Sequence, residues 1–176
     1  MRSMKNPAKM VVKMVDNIVT THDVAVLWEA DSEDGDPDSR SLEAWAKQVL
    51  DYQQATPCEI AIKVVSEIES QQLNREYRGK DAPTNVLSFP LDGGQPTPLL
   101  LLGDIALCAS VVRAEARAQN KPYHSHYAHM VVHGVLHLLG FDHTEPSEAI
   151  EMEQIERDIL RTMGIDDPYL EVGINS

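Results

Sequence analysis

The sequence predicts a single α/β domain in which a small, mixed four-stranded sheet packs with about five helices. Three observations carry this prediction. The chain has 176 residues, enough for one domain with a substantial core. Four short segments have the apolar or alternating pattern of strands. Five longer segments repeat apolar residues at helical spacing, and the order is strand, helix, strand, helix, two strands and three helices.

The first strand and helix flank an acidic loop. Val24–Trp28 is a short apolar run that predicts a strand. Residues 29–39 are acidic and contain glycine and proline, which predicts a loop. Apolar residues then repeat at helical spacing over Leu42–Leu50, and either Ser39 or Ser41 is expected to cap this helix.

An alternating segment followed by a capping pattern predicts the second strand and helix. Glu59–Val65 alternates apolar and polar residues, which predicts a strand. Ser66 followed three residues later by Glu69 has the pattern of a capping box, so a helix is expected to run from there to about Tyr77.

Two further strands are expected around a glycine- and proline-rich segment. Asn85–Phe89 predicts a strand that Pro90 ends, and Leu91–Pro98 predicts a loop or hairpin connection. Leu99–Leu107 predicts the fourth strand, with an interruption at Gly103 and the following aspartate.

Three helices complete the predicted domain. They are expected at about Ala109–Gln119, His124–Leu139 and Ser147–Met163. The last has a stripe of apolar residues along one face and is expected to end at Gly164.

The domain is expected to cover residues 23–170, between an N-terminal extension of residues 1–22 that is a candidate flexible segment and a tail of residues 171–176. No apolar run approaches the roughly 20 residues needed to span a bilayer, and the N-terminus lacks the apolar core of a signal peptide. A cytoplasmic protein is therefore expected. Two cysteines, Cys58 and Cys108, lie in apolar surroundings and are predicted to be buried thiols rather than metal ligands.

The net charge of −13 excludes a generic nucleic-acid coat protein, which would be basic overall. A nucleic-acid enzyme with a local basic cleft remains compatible with it. Basic residues are concentrated in two segments, residues 75–80 and residues 113–121. Such segregation could focus phosphate binding on one face, although most charge clusters are only solvated surface.

A histidine motif carries the strongest chemical signal. His133 and His137 are four residues apart, so they lie on one face of a helix, one turn from each other. Gly140 can end that helix in a left-handed cap, after which a short turn returns His143. Three neutral imidazoles suit zinc and leave a coordination position open, as in catalytic sites. A lone histidine on an apolar face is usually a core residue, but three at this spacing predict a metal site at the helix C-terminus.

The motif differs from that of zinc peptidases. In those enzymes a glutamate directly follows the first histidine and acts as general base, whereas Gly134 occupies that position here. Peptide hydrolysis is therefore disfavoured.

Other polar residues have a functional and a structural interpretation. Asp104, in an apolar strand, and Asp142, in the histidine motif, could each support a ligand histidine, or could bond to backbone and form a turn. His129 lies about 12 Å along the helix from His137, too far for it to share one metal in a straight helix, so it is expected to be a neighbour of the site. His124 and His126 are expected at the surface.

A second motif places cations at the end of the second helix. Arg78 offers a planar fork of donors suited to phosphate, and Lys80 offers a point charge. Both could instead only complement the helix dipole, and the residues alone leave these alternatives even.

The two motifs together resemble the YbeY family of bacterial endoribonucleases. The matching segments are His133–His143, Tyr77–Pro90 and Gly103–Ile105, and the likeness covers about residues 23–170. The family's frequent tyrosine is Phe141 here. The resemblance implies one Zn2+ per chain, held by His133, His137 and His143.

The resemblance further implies a single-strand-specific endoribonuclease that acts in maturation of the 3′ end of small-subunit ribosomal RNA and in ribosome quality control. Its expected partners are single-stranded ribosomal RNA, the small subunit and assembly factors such as an Era-type GTPase, with no membrane. Arg78 matches the family's functional arginine and is the expected catalytic residue that grips the phosphate, with Lys80 as a candidate phosphate contact.

Two mechanisms remain open: zinc can lower the pKa of a bound water, or it can polarise a phosphoryl oxygen while the 2′-hydroxyl attacks. Two other functions also remain open. The chain could be a metal-stabilised ribosome-assembly factor that cuts little, or a metallohydrolase for another substrate, such as a peptide.

Overall fold

The computed structural model describes residues 21–91 and 100–170, which form four strands and five helices. The strands are β1 (Asp23–Trp28), β2 (Cys58–Val65), β3 (Val86–Pro90) and β4 (Leu100–Cys108). The helices are α1 (Ser39–Tyr52), α2 (Glu67–Arg78), α3 (Ala109–Ala118), α4 (Tyr123–Leu138) and α5 (Pro146–Thr162). The predicted α/β fold with a mixed sheet is confirmed, and the element boundaries differ from the prediction by at most three residues.

The sheet has the strand order β1-β2-β4-β3. β1, β2 and β4 are parallel, and β3 runs antiparallel to β4 at one edge. The predicted interruption of β4 is a register shift, because Glu59 pairs with Leu101 while Ile60 pairs with Gly103. One residue of β4 is therefore extra, as in a β-bulge.

One face of the sheet forms the main core. Ile60, Ile62 and Val64 alternate along β2 and are buried, as the period of two requires. Helix α4 packs in the centre of this layer, because apolar residues surround it on nearly every side. Cys58 and Cys108 are both buried free thiols, as predicted.

The opposite face of the sheet is only partly covered. Val65, Leu87 and Ala106 form a small second cluster there, packed against Leu73 of α2 and Phe89 of β3. Beside this cluster, an open groove of about 900 Å³ runs across the sheet. The groove and the centre of α4 are thus on opposite sides of the sheet.

The cap of α1 differs from the prediction. Asp38, rather than Ser39 or Ser41, is the N-cap, and its carboxylate accepts a 2.8 Å hydrogen bond from the Ser41 amide. Aspartate is as good a cap as serine, so the local pattern alone left several choices. The predicted cap of α2 is correct, since the Ser66 hydroxyl accepts from the Glu69 amide at 3.3 Å.

The acidic loop before α1 is held by a buried ion pair. Arg113 of α3 is 5% exposed and donates to Asp36 at 2.9 and 2.5 Å and to the Asp31 carbonyl at 2.6 Å. Arg117 pairs with Glu33 in the same loop at 3.0 Å. The suggestion that residues 113–121 contribute to a phosphate-binding face is therefore wrong for Arg113, because this side chain is buried and acidic-loop oxygens occupy its donors. Arg117 remains exposed.

Some predicted segments lie wholly or partly outside the described residues: residues 1–20 of the N-terminal extension, residues 92–98 of the predicted loop, Leu99 of the predicted fourth strand, and the tail 171–176. At the edge of the first, His22 contacts the Cys58 amide at 3.3 Å. Within residues 21–91 and 100–170, no helix is both long and apolar enough to cross a membrane.

Candidate metal centre

Helix α4 positions the first two histidines of the site. His133 and His137 lie one turn apart near its C-terminal end, and the helix ends at Leu138. Gly140 has a φ of +96°, which is the left-handed turn predicted for it. The Phe141 amide donates to the Leu136 carbonyl at 3.0 Å, so the chain reverses directly after the helix.

The three predicted histidines come together. One ring nitrogen from each of His133, His137 and His143 lies within 4.8 Å of the other two. The Nε2 atoms of His133 and His137 are 3.0 Å apart. Two ring nitrogens this close need a proton or a cation between them, because two lone pairs would repel. The donor set therefore fits a zinc ion, which accepts imidazole ligands in tetrahedral geometry.

The cluster is open on one side. His133 and His137 are partly exposed, and His143 is exposed. No fourth histidine, cysteine or carboxylate of the described segments joins the group of three. Such a site can hold a metal and leave space for a substrate atom.

A carboxylate that the sequence analysis did not single out lies against this cluster. Glu156 of α5 is fully buried, and its Oε1 is 2.6 Å from His133 Nδ1. Its Oε2 is 2.9 Å from His129 Nε2 and also accepts a hydrogen bond from the Tyr169 hydroxyl. The carboxylate thus joins α5 and the segment after it to α4.

The pKa values of the site follow from burial and from these contacts. Burial raises the pKa of Glu156, but hydrogen bonds from His129 and His133 outweigh it and lower the pKa to about 2. Burial and the neighbouring His133 and His143 lower the pKa of His137 to about 4. Burial also lowers the pKa of His129. Glu156 is therefore ionised and His137 neutral at neutral pH, the state in which an imidazole can bind a metal.

One sequence signal could have found Glu156. The buried face of α5 carries Met152, Ile159 and Leu160, and Glu156 falls between them at helical spacing. A charged residue in an apolar stripe indicates a buried partner. The partner itself could not be read from the spacing.

The two aspartates considered as supports for a ligand histidine have other positions. Asp142 Oδ1 accepts from the His143 amide at 2.7 Å, which is the turn interpretation. Asp104 is exposed and lines the groove. Its neighbour Ile105 faces α4, so the alternation of the strand directs Asp104 to the opposite side. Within the described part of the chain, neither carboxylate bonds to a histidine ring.

Arg78 lies at the end of α2 and lines the groove. Tyr77 and Phe89 form an edge-to-face aromatic pair there, with ring centroids 4.8 Å apart. Arg78 is exposed, and no carboxylate of the described residues lies within ion-pair distance of it. Lys80, also exposed, follows the left-handed Gly79 that caps the helix.

Strand β3 links the groove to the histidine helix. Phe89 faces the groove, whereas the Ser88 hydroxyl donates to the Gly134 carbonyl of α4 at 2.9 Å. The structure therefore brings the three histidines together at the end of α4. β3, which bonds to that helix through Ser88, also lines the groove that holds Arg78 and Asp104.

The remaining histidines of α4 are only partly as expected. His129 is a neighbour of the cluster and not a member of it, as predicted. His124 is exposed and packs edge-on against Trp45. His126 is 3% exposed and bonds to Glu115 at 2.7 Å, so its predicted surface position is wrong. The helix buries more of its circumference than a two-layer fold would lead one to expect.

Comparison with known proteins identifies close relatives. Residues 28–164 match the family model described as Endoribonuclease YbeY. The chain is 53% identical over 136 residues to Endoribonuclease YbeY of Chromohalobacter salexigens, covering 77% of this chain and 88% of that relative. It is 51% identical over 133 residues to Endoribonuclease YbeY of Alteromonas mediterranea, covering 76% and 84%.

A solved structure supports the fold. The solution structure of TM1509 from Thermotoga maritima aligns with a TM-score of 0.52 and 24% identity, covering 84% of this chain and 99% of that one. At this identity the likeness concerns the fold alone.

Proposed function

The chain belongs to the YbeY family of endoribonucleases, and from this premise we propose that it is a zinc-dependent enzyme that cleaves single-stranded RNA internally. The observation that carries the metal dependence is the convergence of three imidazole nitrogens within 4.8 Å at the end of α4. The nuclease activity is supported by the relatives at 53% and 51% identity, both of which are named Endoribonuclease YbeY.

The biological role follows the resemblance of the motifs. The substrate is ribosomal RNA, cut in maturation of the 3′ end of the small-subunit RNA and in ribosome quality control. The small subunit and assembly factors such as an Era-type GTPase are its partners, and the cytoplasm is its compartment. The net charge of −13 suits contact with basic ribosomal proteins at surfaces away from the RNA.

In this proposal His133, His137 and His143 hold one zinc ion. When bound, zinc supplies Lewis acidity that activates water or polarises a phosphoryl oxygen at neutral pH. The low pKa of His137, about 4, keeps its ring nitrogen available as a ligand at pH 7. The exposed side of the cluster leaves room for the scissile phosphate.

Arg78 is proposed to grip the phosphate. Its guanidinium can donate two parallel hydrogen bonds to phosphate oxygens and stabilise the charge that develops during cleavage. Its exposure and its position beside the Tyr77–Phe89 aromatic pair suit a single strand, whose bases stack on aromatic rings. Lys80 adds a second positive charge two residues away.

The experiment measures metal content and cleavage of a labelled single-stranded RNA by the wild type, Arg78→Ala and His137→Ala. We expect about one zinc per wild-type chain, loss of cleavage in both variants, and loss of metal only in His137→Ala. Arg75→Ala is the matched control, because Arg75 is also exposed on α2 but does not line the groove. Analysis of the product ends separates the two nucleophiles, since attack by the 2′-hydroxyl leaves a cyclic phosphate.

Two outcomes would contradict the proposal and favour another function. Equal cleavage by all variants would identify a contaminating nuclease and favour a ribosome-assembly binding factor, which the acidic surface also suits. Chelator-sensitive cleavage of casein but not of RNA would favour a hydrolase for peptides.

A further inference from the structure

The carboxylate of Glu156 is buried and has three hydrogen-bonding partners outside its own helix. A buried carboxylate costs several kcal/mol unless donors satisfy it. Here His133 Nδ1 approaches Oε1 at 2.6 Å, while His129 Nε2 at 2.9 Å and the Tyr169 hydroxyl approach Oε2. Three donors from two different segments converge on one group.

These contacts determine which nitrogen of His133 carries the proton. An ionised carboxylate only accepts hydrogen bonds, so the hydrogen of His133 lies on Nδ1. Its Nε2 then presents a lone pair, and this is the atom that faces His137 Nε2 at 3.0 Å. With the opposite tautomer, a hydrogen on Nε2 would point into the cluster and block metal binding.

His129 and Tyr169 direct their hydrogen-bond donors at Glu156 and not at the histidine cluster. His129 is 9% exposed, and its Nε2 points to Glu156. The Tyr169 and His129 rings form an edge-to-face pair with centroids 5.4 Å apart, and the Arg157 guanidinium lies over the Tyr169 ring, 4.8 Å from its centroid. Both side chains therefore bond to the carboxylate and hold its orientation, and neither is hydrogen-bonded to a histidine of the cluster.

We propose that Glu156 is a positioning residue of the metal centre, which fixes His133 as the Nδ1–H tautomer and thereby prepares its Nε2 as a ligand. His129 and Tyr169 hold the carboxylate in place. This inference rests on the proposed function in one respect, that His133 is a metal ligand. Carboxylates that accept from a ligand histidine raise its affinity for metal about 10- to 100-fold.

A purely structural role is the alternative, because the same contacts join α5 to α4. Glu115 provides a matched control. Its carboxylate accepts from His126 of the same helix at 2.7 Å, but His126 has no part in the cluster. Glu115→Gln and Glu156→Gln thus each remove one carboxylate charge from a pair between a glutamate and a histidine of α4, the first carboxylate partly exposed and the second fully buried.

The first test is the tautomer of His133 in the zinc-free wild type, read from long-range ¹H–¹⁵N couplings of the imidazole. We expect the Nδ1–H form. A wild type in the Nε2–H form overturns the proposal, and this result does not depend on the folding of any variant or on RNA cleavage.

The second test is Zn²⁺ affinity by competition with a chromogenic chelator. Glu156→Gln is expected to bind zinc about 10- to 100-fold more weakly, with Glu115→Gln unchanged. Equal affinities for Glu156→Gln and wild type, or an equal loss in both variants, overturn the proposal. Wild-type protein that binds zinc but leaves RNA intact would contradict the proposed function alone.

Discussion

Gly134 of α4 lies directly against Ile105 of β4. A Cβ atom at Gly134 would lie 3.2 Å from both Cδ1 and Cγ2 of Ile105, and 3.3 Å from Cγ2 of Val86. These are closer than ordinary packing distances, so the helix approaches the sheet as near as a glycine allows. Position 134 is also where zinc peptidases carry their glutamate, and this contact leaves no space for one.

Gly134→Ala is expected to lower the free energy of unfolding by about 1 kcal/mol. Alanine gains up to about 1 kcal/mol of helix propensity, but overpacking a dense core costs about 1–3 kcal/mol. Ile105 is 1% exposed and Val86 6%, so neither has room to move. Urea denaturation measures the change. The double variant with Ile105→Val should recover part of the loss, and a Gly134→Ala protein more stable than wild type would contradict the close contact.

Gly103 is expected to tolerate alanine far less well than Gly79, although both have positive φ. At Gly103, with φ +147°, a Cβ would collide with the Phe89 carbonyl and lie 2.8 Å from Leu138 Cδ2. At Gly79, with φ +69°, it would meet nothing within 4 Å. We expect Gly103→Ala to lower the free energy of unfolding by about 3 kcal/mol or more, and Gly79→Ala to lower it by about 1 kcal/mol. Thermal unfolding of the two variants checks this, and similar midpoints would refute it.

Breaking the buried Arg113–Asp36 pair is expected to lower the free energy of unfolding far more than breaking a surface pair. Removing one partner leaves a buried charge alone, so Asp36→Asn should cost about 3–5 kcal/mol. Lys47 and Glu43 form a partly exposed pair at 2.6 Å one helical turn apart, and Glu43→Gln should cost about 0.5 kcal/mol or less. Chemical denaturation in low and high salt compares them. Equal costs would show that the loop before α1 is not held by Arg113.

The metal-free protein is expected to lose stability as the pH falls below about 6.5. His137 has a pKa of about 4 when folded but about 6.5 when unfolded. Between these values the unfolded chain binds more protons, so stability falls by up to about 1.4 kcal/mol per pH unit. The lowered pKa of His129 acts in the same direction.

Glu156 extends the loss to lower pH, because its pKa is about 2 in the folded state and about 4.3 in the unfolded chain. The stability that ionised Glu156 contributes is fully present above about pH 4.3 and is lost as the pH falls toward about 2. Urea unfolding at about pH 7, 5.5, 4 and 3 with a chelator present measures the slope. His137→Ala should show a shallower slope above pH 4, and a flat profile for the wild type would be inconsistent with these pKa values.

Arg78→Lys is expected to keep the fold but lose activity. Lysine keeps the charge but lacks the planar fork that bonds two phosphate oxygens at once. Cleavage of single-stranded RNA should fall about 10- to 100-fold, while the thermal midpoint stays within about 1 °C because Arg78 is exposed. Full activity in the lysine variant would reduce the role of Arg78 to that of a simple positive charge.

The sequence was sufficient for features that depend on neighbouring residues. The alternation in β2, the helical stripes, the cap at Ser66 and the turn at Gly140 all arise from interactions within one or two turns of chain. The convergence of His133 and His137 has the same origin, because residues four apart in a helix must share a face. Such patterns could be recognised before any tertiary contact was known.

Contacts between distant segments were decided only by the tertiary structure. Glu156 lies 23 residues from His133, and Asp36 lies 77 residues from Arg113. Whether a buried charge finds a partner, and which one, depends on how helices and loops pack in three dimensions, which no local period encodes. The sequence by itself thus determined the fold class and the histidine cluster, whereas packing decided that Glu156 orients His133, because only a folded core places a buried carboxylate beside that ring.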